Sequence, residues 1–168
     1  YKVYVVADNC TDRTSEIAQQ FGASVYGRFN TEDIGKGFAL EWLLARLEAS
    51  EVLGDAIVIL DADSIISKNF LRVMNARIGS GERVIQAYYA VRNPEKSWSA
   101  SLRAVALSAL HYLRPLARSV LGASTGLKGN GMVFATDIIR RYQWSSSLTE
   151  DIEYHMSLIL DGYRVTFA

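Results

Sequence analysis

The sequence predicts an α/β layered fold with a mainly parallel sheet flanked by helices. Three observations predict it. Short apolar or β-branched runs alternate with helix-length segments along the whole chain. The run "AIVIL" at 56–60 is continuously apolar, the pattern of a strand buried on both faces of a parallel sheet. Acidic residues (Asp8, Asp61 and Asp63) stand at the ends of strand-like runs, the edge at which open α/β sheets bind ligands.

Taken in order, "KVYVVA" at 2–7 reads as a strand from its β-branched and aromatic content. A helix follows in "DNCTDRTSEIAQQFG", with Asp12 or Thr14 as cap, Ile17, Ala18 and Phe21 as its apolar side and Gly22 at its end. "ASVYGR" is a second short strand. In "GKGFALEWLLARLEAS", Leu40, Leu43, Leu44 and Leu47 fall at i, i+3, i+4 and i+7, one face of a helix. After "AIVIL" comes a glycine-closed helix in "SKNFLRVMNARIGSG", then a strand in "RVIQAYYAV". The segment 96–121 reads as mostly helical, kinked or ended near Pro115. "MVFA" is a short strand, "TDIIRRYQW" a short helix, "TEDIEYHMSLILDG" a longer one, and "YRVTF" a final strand. No linker divides the chain, so residues 1–168 are expected to form one domain.

Composition narrows the class. With 168 residues, 49% apolar and 21% charged, the chain is an ordinary globular sequence. Its formal net charge is zero, which gives no diffuse attraction to nucleic acid or to an anionic membrane. Cys10 is the only cysteine, so there is no internal disulfide, in keeping with a reducing, cytoplasmic setting. The segment 96–121 carries Arg103, His111, Arg114 and Pro115 and is too polar to span a bilayer. The chain opens and closes inside strand-like runs, the expectation for a piece of a longer protein.

"DADS" at 61–64 is the first candidate site. Residues two apart on a strand share a face, so Asp61 and Asp63 converge if the strand persists that far. Two carboxylates there make a hard oxygen site for Mg²⁺ or Mn²⁺, which suits a nucleotide diphosphate. The alternative is an aspartate that caps the next helix. Asp8 repeats the placement, and its alternative is to order the turn together with Asp12. "GKG" at 35–37 precedes a helix, where glycines admit a ligand and Lys36 adds positive charge, although the P-loop spacing is missing. An ordinary loop explains it equally. "LTED" at 148–151 opens a helix, with Ser147 and Glu150 as a capping box, or with Asp151 kept ionised and ready to accept a hydroxyl proton. "GNG" at 129–131 gives either room for a substrate or a tight turn. His111, His155, Trp98 and Trp144 read as packing or surface residues. No zinc spacing and no nucleophile elbow occur.

The order of these motifs carries more than any one of them. "ADNCTDRT", "GKGFAL", "DADS", "GNGMVF" and "TEDIEY", with Asp8, Asp12 and Thr14 as D-x-x-x-D-x-T, resemble the family 2 glycosyltransferases of the GT-A fold over nearly the whole chain. "QAYYAVRNPEKSW" is similar to the family's stretch between the D-x-D strand and the acceptor-side helix. The resemblance implies a Rossmann-like, mainly parallel sheet flanked by helices, here without the family's first strand. It implies that Asp8 contacts the nucleotide base and that Lys36 lies close to the nucleotide. Asp61 would hold the ribose and help bind the metal, with Asp63 the main protein ligand of Mg²⁺ or Mn²⁺. Gly129, Asn130 and Gly131 would line the acceptor side with Glu150, and Asp151 would be the general base.

The implied reaction is inverting transfer of a sugar from a nucleotide sugar, a UDP-sugar in first place, to a hydroxyl of a saccharide or lipid-linked acceptor. The isolated piece is expected to be weak or inactive. The resemblance leaves open a membrane-anchored parent on the cytoplasmic face. "DNC" in place of the commoner "DDGS"-like turn is a departure that bears on the detail of the base contacts. Two competing readings are a haloacid-dehalogenase-like phosphatase, whose nucleophile strand "AIVILDADS" superficially matches, and a non-catalytic module that holds sugar or nucleotide. Two strands precede this run, and the phosphatase's later elements are not evident.

Overall fold

The structure, a computed structural model, describes residues 1–142, 144 and 150–168, and of residue 150 the backbone alone. Two compact units emerge, one on Tyr1–Leu53 and one on Gly54–Tyr142 with Asp151–Ala168.

In the first unit, β1 (Tyr4–Asp8) and β2 (Ser24–Arg28) pair in parallel, with Tyr4 opposite Ser24 and Asp8 opposite Arg28. The crossover between them is α1 (Thr14–Gln20). Asp12 starts it: its carboxylate accepts the N–H of Thr14 at 3.0 Å and the Thr14 hydroxyl at 2.5 Å. Those two bonds hold the Asp12 carboxyl below its ordinary value. Gly22 ends the turn after α1 at φ 84°, a left-handed conformation that glycine adopts freely. The apolar side expected for α1 is not buried: Ile17 and Phe21 are exposed, because no described residue covers them. The helix α2 (Lys36–Ala49) packs on β1, and its inward face is Ala39, Leu43 and Leu47, close to the stripe that the leucine spacing predicts.

The second unit holds a four-stranded sheet in the order β3 (Ala56–Ile59), β5 (Met132–Ala135), β4 (Val84–Gln86), β6 (Val165–Phe167). β4 and β6 are parallel, and β5 runs antiparallel to both β3 and β4. Three of the four strands therefore share a direction, and β5 alone is reversed. β5 lies between two neighbours, and all four of its residues are buried. The order places β3 at an edge, so Ala56, Ile57 and Val58 are half-buried rather than enclosed on both faces.

Met74 of α3 (Phe70–Gly79) joins Ile85, Ala87 and Val133 in a core cluster, with Val58, Phe70, Val73 and Ile78 against it. Removing apolar side chains of this size from water contributes about 1.5–3 kcal/mol each. The short helix α6 (Thr136–Arg141) is anchored to the start of β3: Thr136 N–H donates to Asp55 O at 3.0 Å, and the Thr136 hydroxyl donates to Gly54 O.

Residues 98–120 form one helical path with a change of pitch. α4 (Trp98–Leu107) passes into a π-helical segment, Ser108–Leu113, and then into α5 (Arg114–Val120). Pro115 lacks an N–H and its ring crowds the carbonyl one turn back. The wider π turn before it accommodates both, so the expected kink takes the form of a local bulge. Ser97 caps α4, accepting Ala100 N–H at 3.1 Å. The last helix is α7 (Glu150–Leu160). Among the described residues no helix is long and apolar enough to cross a membrane.

Candidate active site

In the first unit, the carboxylate of Asp8 does not stand alone. Arg28 Nη1 donates to Asp8 Oδ1 at 2.7 Å, and the Arg28 side chain is only 5% exposed. Arg28 Nη2 also donates to Asp33 O at 2.8 Å. The parallel register puts the two residues side by side, and a buried guanidinium is held by such a partner. Asn9, at φ 54°, exchanges two hydrogen bonds of 2.9 Å with Asn30, tying the turn after β1 to the turn after β2. Lys36 opens α2 directly after Gly35, whose φ of 136° is in glycine's range, and its side chain is exposed.

The D-A-D segment belongs to the second unit. β3 ends at Ile59, so strand alternation stops before Asp61 is reached. Residues 61–64 instead form a turn closed by Ser64 N–H donating to Asp61 O at 3.0 Å. Asp61 is half-buried and Asp63 exposed.

Asn130 clamps this turn. Its side-chain carbonyl accepts Asp61 N–H at 3.1 Å, and its amide donates to Ser64 Oγ at 2.8 Å. Asn130 is itself held from behind, because Gln86 Nε2 donates to Asn130 O at 2.7 Å. Gln86 is 1% exposed, and its Oε1 has no hydrogen-bond partner among the described residues. The flanking glycines are required by geometry. Gly131 has φ 68°, and a Cβ there would stand 3.4 Å from the Ala87 Cβ. Gly129 has φ 75°, and a Cβ there would lie 3.8 Å from Asp151 Oδ2.

Asp151 is thus beside the G-N-G loop, in the first turn of α7, half-buried, with Ile152 N–H donating to its Oδ1 at 2.9 Å. Carboxylates are at home at that end of a helix. Tyr89, which the sequence reading did not single out, senses both acids. Burial pushes its phenol up, and the charges of Asp61 and then Asp151 push it the same way. Its hydroxyl donates to Lys128 O at 3.4 Å, and the His111 ring stands edge-on to it at 4.5 Å. The second unit therefore brings Asp61, Asn130, the two glycines and Asp151 to one locality. The capping box of Ser147 with Glu150 and the Glu150 carboxylate lie outside the described residues. Trp144 is buried and Trp98 is 77% exposed.

The donor chemistry suits a hard divalent cation. Asp61 and Asp63 offer carboxylate oxygens on a turn whose backbone Asn130 fixes. Among the described residues no cluster of three or more His, Cys, Asp or Glu side chains completes a cage. Partial coordination by one or two carboxylates, with substrate phosphates and water for the rest, is the usual mode for Mg²⁺.

The family model described as "Glycosyltransferase like family 2" matches residues 1–168. No curated protein matches the chain. Among solved structures it is similar to glucosyl-3-phosphoglycerate synthase from Mycobacterium tuberculosis in complex with Mn²⁺, UDP-glucose and phosphoglyceric acid. That similarity has a TM-score of 0.60 and 22% identity, over 98% of this chain and 57% of that one. The same enzyme with Mn²⁺, UDP and phosphoglyceric acid gives 0.63 and 20%, over 99% and 56%. A further mycobacterial protein gives 0.61 and 23%, over 99% and 54%. The chain spans a little over half the length of these structures, and at such identities the likeness is one of fold. With the family model matched over residues 1–168 and the fold shared with these structures, the chain belongs to the glycosyltransferase-like family 2 and has the GT-A fold.

Proposed function

We propose that this chain is the catalytic domain of an inverting glycosyltransferase that uses a nucleotide sugar, a UDP-sugar in first place, together with Mg²⁺ or Mn²⁺. The observation that carries the reading is the Asn130 clamp: it joins the D-A-D turn to the same G-N-G loop that Asp151 adjoins. Metal-side carboxylates and a candidate base thereby meet within one unit. The similar mycobacterial enzyme was crystallised with Mn²⁺, UDP-glucose and phosphoglyceric acid, which supports a nucleotide-sugar donor and a small acceptor. Family membership sets aside the dehalogenase-like phosphatase.

In this reading Asp61 and Asp63 hold the cation, which when bound supplies positive charge to the leaving diphosphate. Asp8 contacts the base and Lys36 lies by the nucleotide. Gly129, Asn130, Gly131 and Glu150 border the acceptor. Asp151 accepts the acceptor's hydroxyl proton as that oxygen attacks C1 of the sugar. The C1–O bond to the nucleoside diphosphate breaks with its electron pair, and configuration inverts.

The test is calorimetric titration of UDP-glucose with Mn²⁺ into the full-length protein, wild type and Asp63→Ala, with circular dichroism as the check on fold. Binding that needs Mn²⁺ and vanishes in the variant is the expected result. Equal binding in both proteins would remove Asp63 from the site.

A further inference from the structure

From Lys96 to Thr136 the chain holds no acidic residue, yet it carries Arg103, Arg114, Arg118 and Lys128. Three of these are electrostatic neighbours: Arg114 and Arg118 both act on Lys128, and so does Asp151. Arg114 and Arg118 are four apart on α5, hence on one face of it. Arg118 is pinned there, its Nε donating to Ser124 O at 2.6 Å. Ser124 Oγ in turn bonds His155 Nε2 at 2.9 Å, and His155 is one turn beyond Asp151 on α7. Lys128 lies in the same loop, its carbonyl bonded by Tyr89. Gly126, at φ 87°, lets the His155 ring close over this loop: a Cβ on it would stand 3.5 Å from that ring.

The charges in this group repel one another. Burial, then Arg114 and Arg118, lower the Lys128 ammonium, and Asp151 alone opposes them. Burial, Arg118 and Lys128 lower His155. Among the described residues, the ion pairs involve other arginines, and none is made by Arg114, Arg118 or Lys128. Two half-buried cations, Arg118 and Lys128, with the exposed Arg114 near them and no carboxylate on each, are relieved by an anion that enters from outside.

We propose that Arg114, Arg118 and Lys128 form an oxyanion site beside Asp151, and that the acceptor carries a phosphate or carboxylate group seated there. This rests on Asp151 being the base of the proposed transfer. It gives the cations a positioning role: the anionic end of the acceptor is anchored so that its hydroxyl falls at Asp151. Arginine suits the task, because its planar fork meets a phosphate or carboxylate with two parallel bonds.

Inorganic phosphate and acetate, titrated separately into the metal-free protein, test the site. The expected result is phosphate binding that weakens about tenfold in Lys128→Met and again in Arg114→Gln, and that survives in Lys128→Arg. Arg114 is exposed, so Arg114→Gln keeps the fold and the test stays decisive if Lys128→Met unfolds. Acetate binding at the same residues identifies a carboxylate acceptor, and its failure beside phosphate binding identifies a phosphate ester. Phosphate affinity equal in wild type and both neutral variants, or absent from wild type, overturns the site. A parallel titration with Mn²⁺ and UDP separates the two claims. If UDP fails to bind while phosphate behaves as expected, the donor reading falls and the oxyanion site stands.

Discussion

The side-chain carbonyl of Asn130 accepts the backbone N–H of Asp61 at 3.1 Å, although 69 residues separate the two. With the second bond to Ser64 Oγ at 2.8 Å, this one amide sets the shape of the D-A-D turn. Outer partners that orient ligating carboxylates affect metal affinity by about 10–100-fold. Asn130→Ala is therefore expected to weaken Mn²⁺ binding in the presence of UDP by about tenfold or more, read by titration. Loss of two hydrogen bonds at a half-buried place costs about 1–3 kcal/mol of stability. Unchanged Mn²⁺ affinity in a folded Asn130→Ala protein would separate the clamp from the metal.

Asp151 carries a different expectation. Asparagine keeps its size and the acceptor for Ile152 N–H, but it cannot take a proton from a hydroxyl. In the full-length protein, transfer by Asp151→Asn should fall about 10²–10⁴-fold, the usual weight of general-base catalysis, while Mn²⁺-dependent UDP-glucose binding persists. Turnover is read as nucleoside diphosphate release with the acceptor present. Equal rates for variant and wild type would remove Asp151 from the mechanism.

Local pattern made the elements legible. The leucine spacing of α2 matches its buried face of Leu43 and Leu47, and "MVFA" is the strand β5. Strand direction was not legible, because the reversal of β5 is decided by partners far along the chain. The site divides in the same way. Asp61, Asn130 and Asp151 stand out in sequence by motif and glycine context, whereas the hydrogen bond that links Asn130 to Asp61 leaves no periodic trace. Gln86 left a faint signal, a polar residue in the apolar run "RVIQAYYAV", where burial demands a partner. Arg28 left less: only the parallel register opposite Asp8 explains its burial. The turn at 61–64 also shows why a two-residue spacing is weak evidence at a strand end, where alternation lapses within a residue or two.

The Arg28–Asp8 pair has its own consequence. Asp8→Ala leaves a 5% exposed guanidinium with only the Asp33 backbone carbonyl as a partner among the described residues. Removing one member of a buried pair costs about 3 kcal/mol or more. Asp8→Asn keeps an acceptor for Arg28 Nη1 and should cost clearly less. Urea unfolding followed by tryptophan fluorescence reads the difference. If Asp8 also contacts the nucleotide base, Asp8→Asn is the variant that reports it, because its fold is the less disturbed. Equal stability of wild type and Asp8→Ala would show that the pair adds nothing to the fold.

His155 gives the stability a pH dependence. Burial first, then Arg118 and Lys128, depress its imidazole below the ordinary 6.5, with Asp151 opposing. His111 is depressed in the same direction, by burial and then Lys128. The unfolded chain takes up protons at these positions before the folded one does. Stability is therefore fully present above pH 6.5 and falls as pH drops below it toward the lowered folded values. His155→Gln removes one of the two groups and should flatten that slope while leaving a part due to His111. Urea midpoints measured at intervals between about pH 7.5 and pH 5 give the comparison, with carboxylates still ionised over most of that range. A wild-type midpoint that stays level or rises on acidification, or a slope identical in His155→Gln, would mean that His155 titrates alike in folded and unfolded chains.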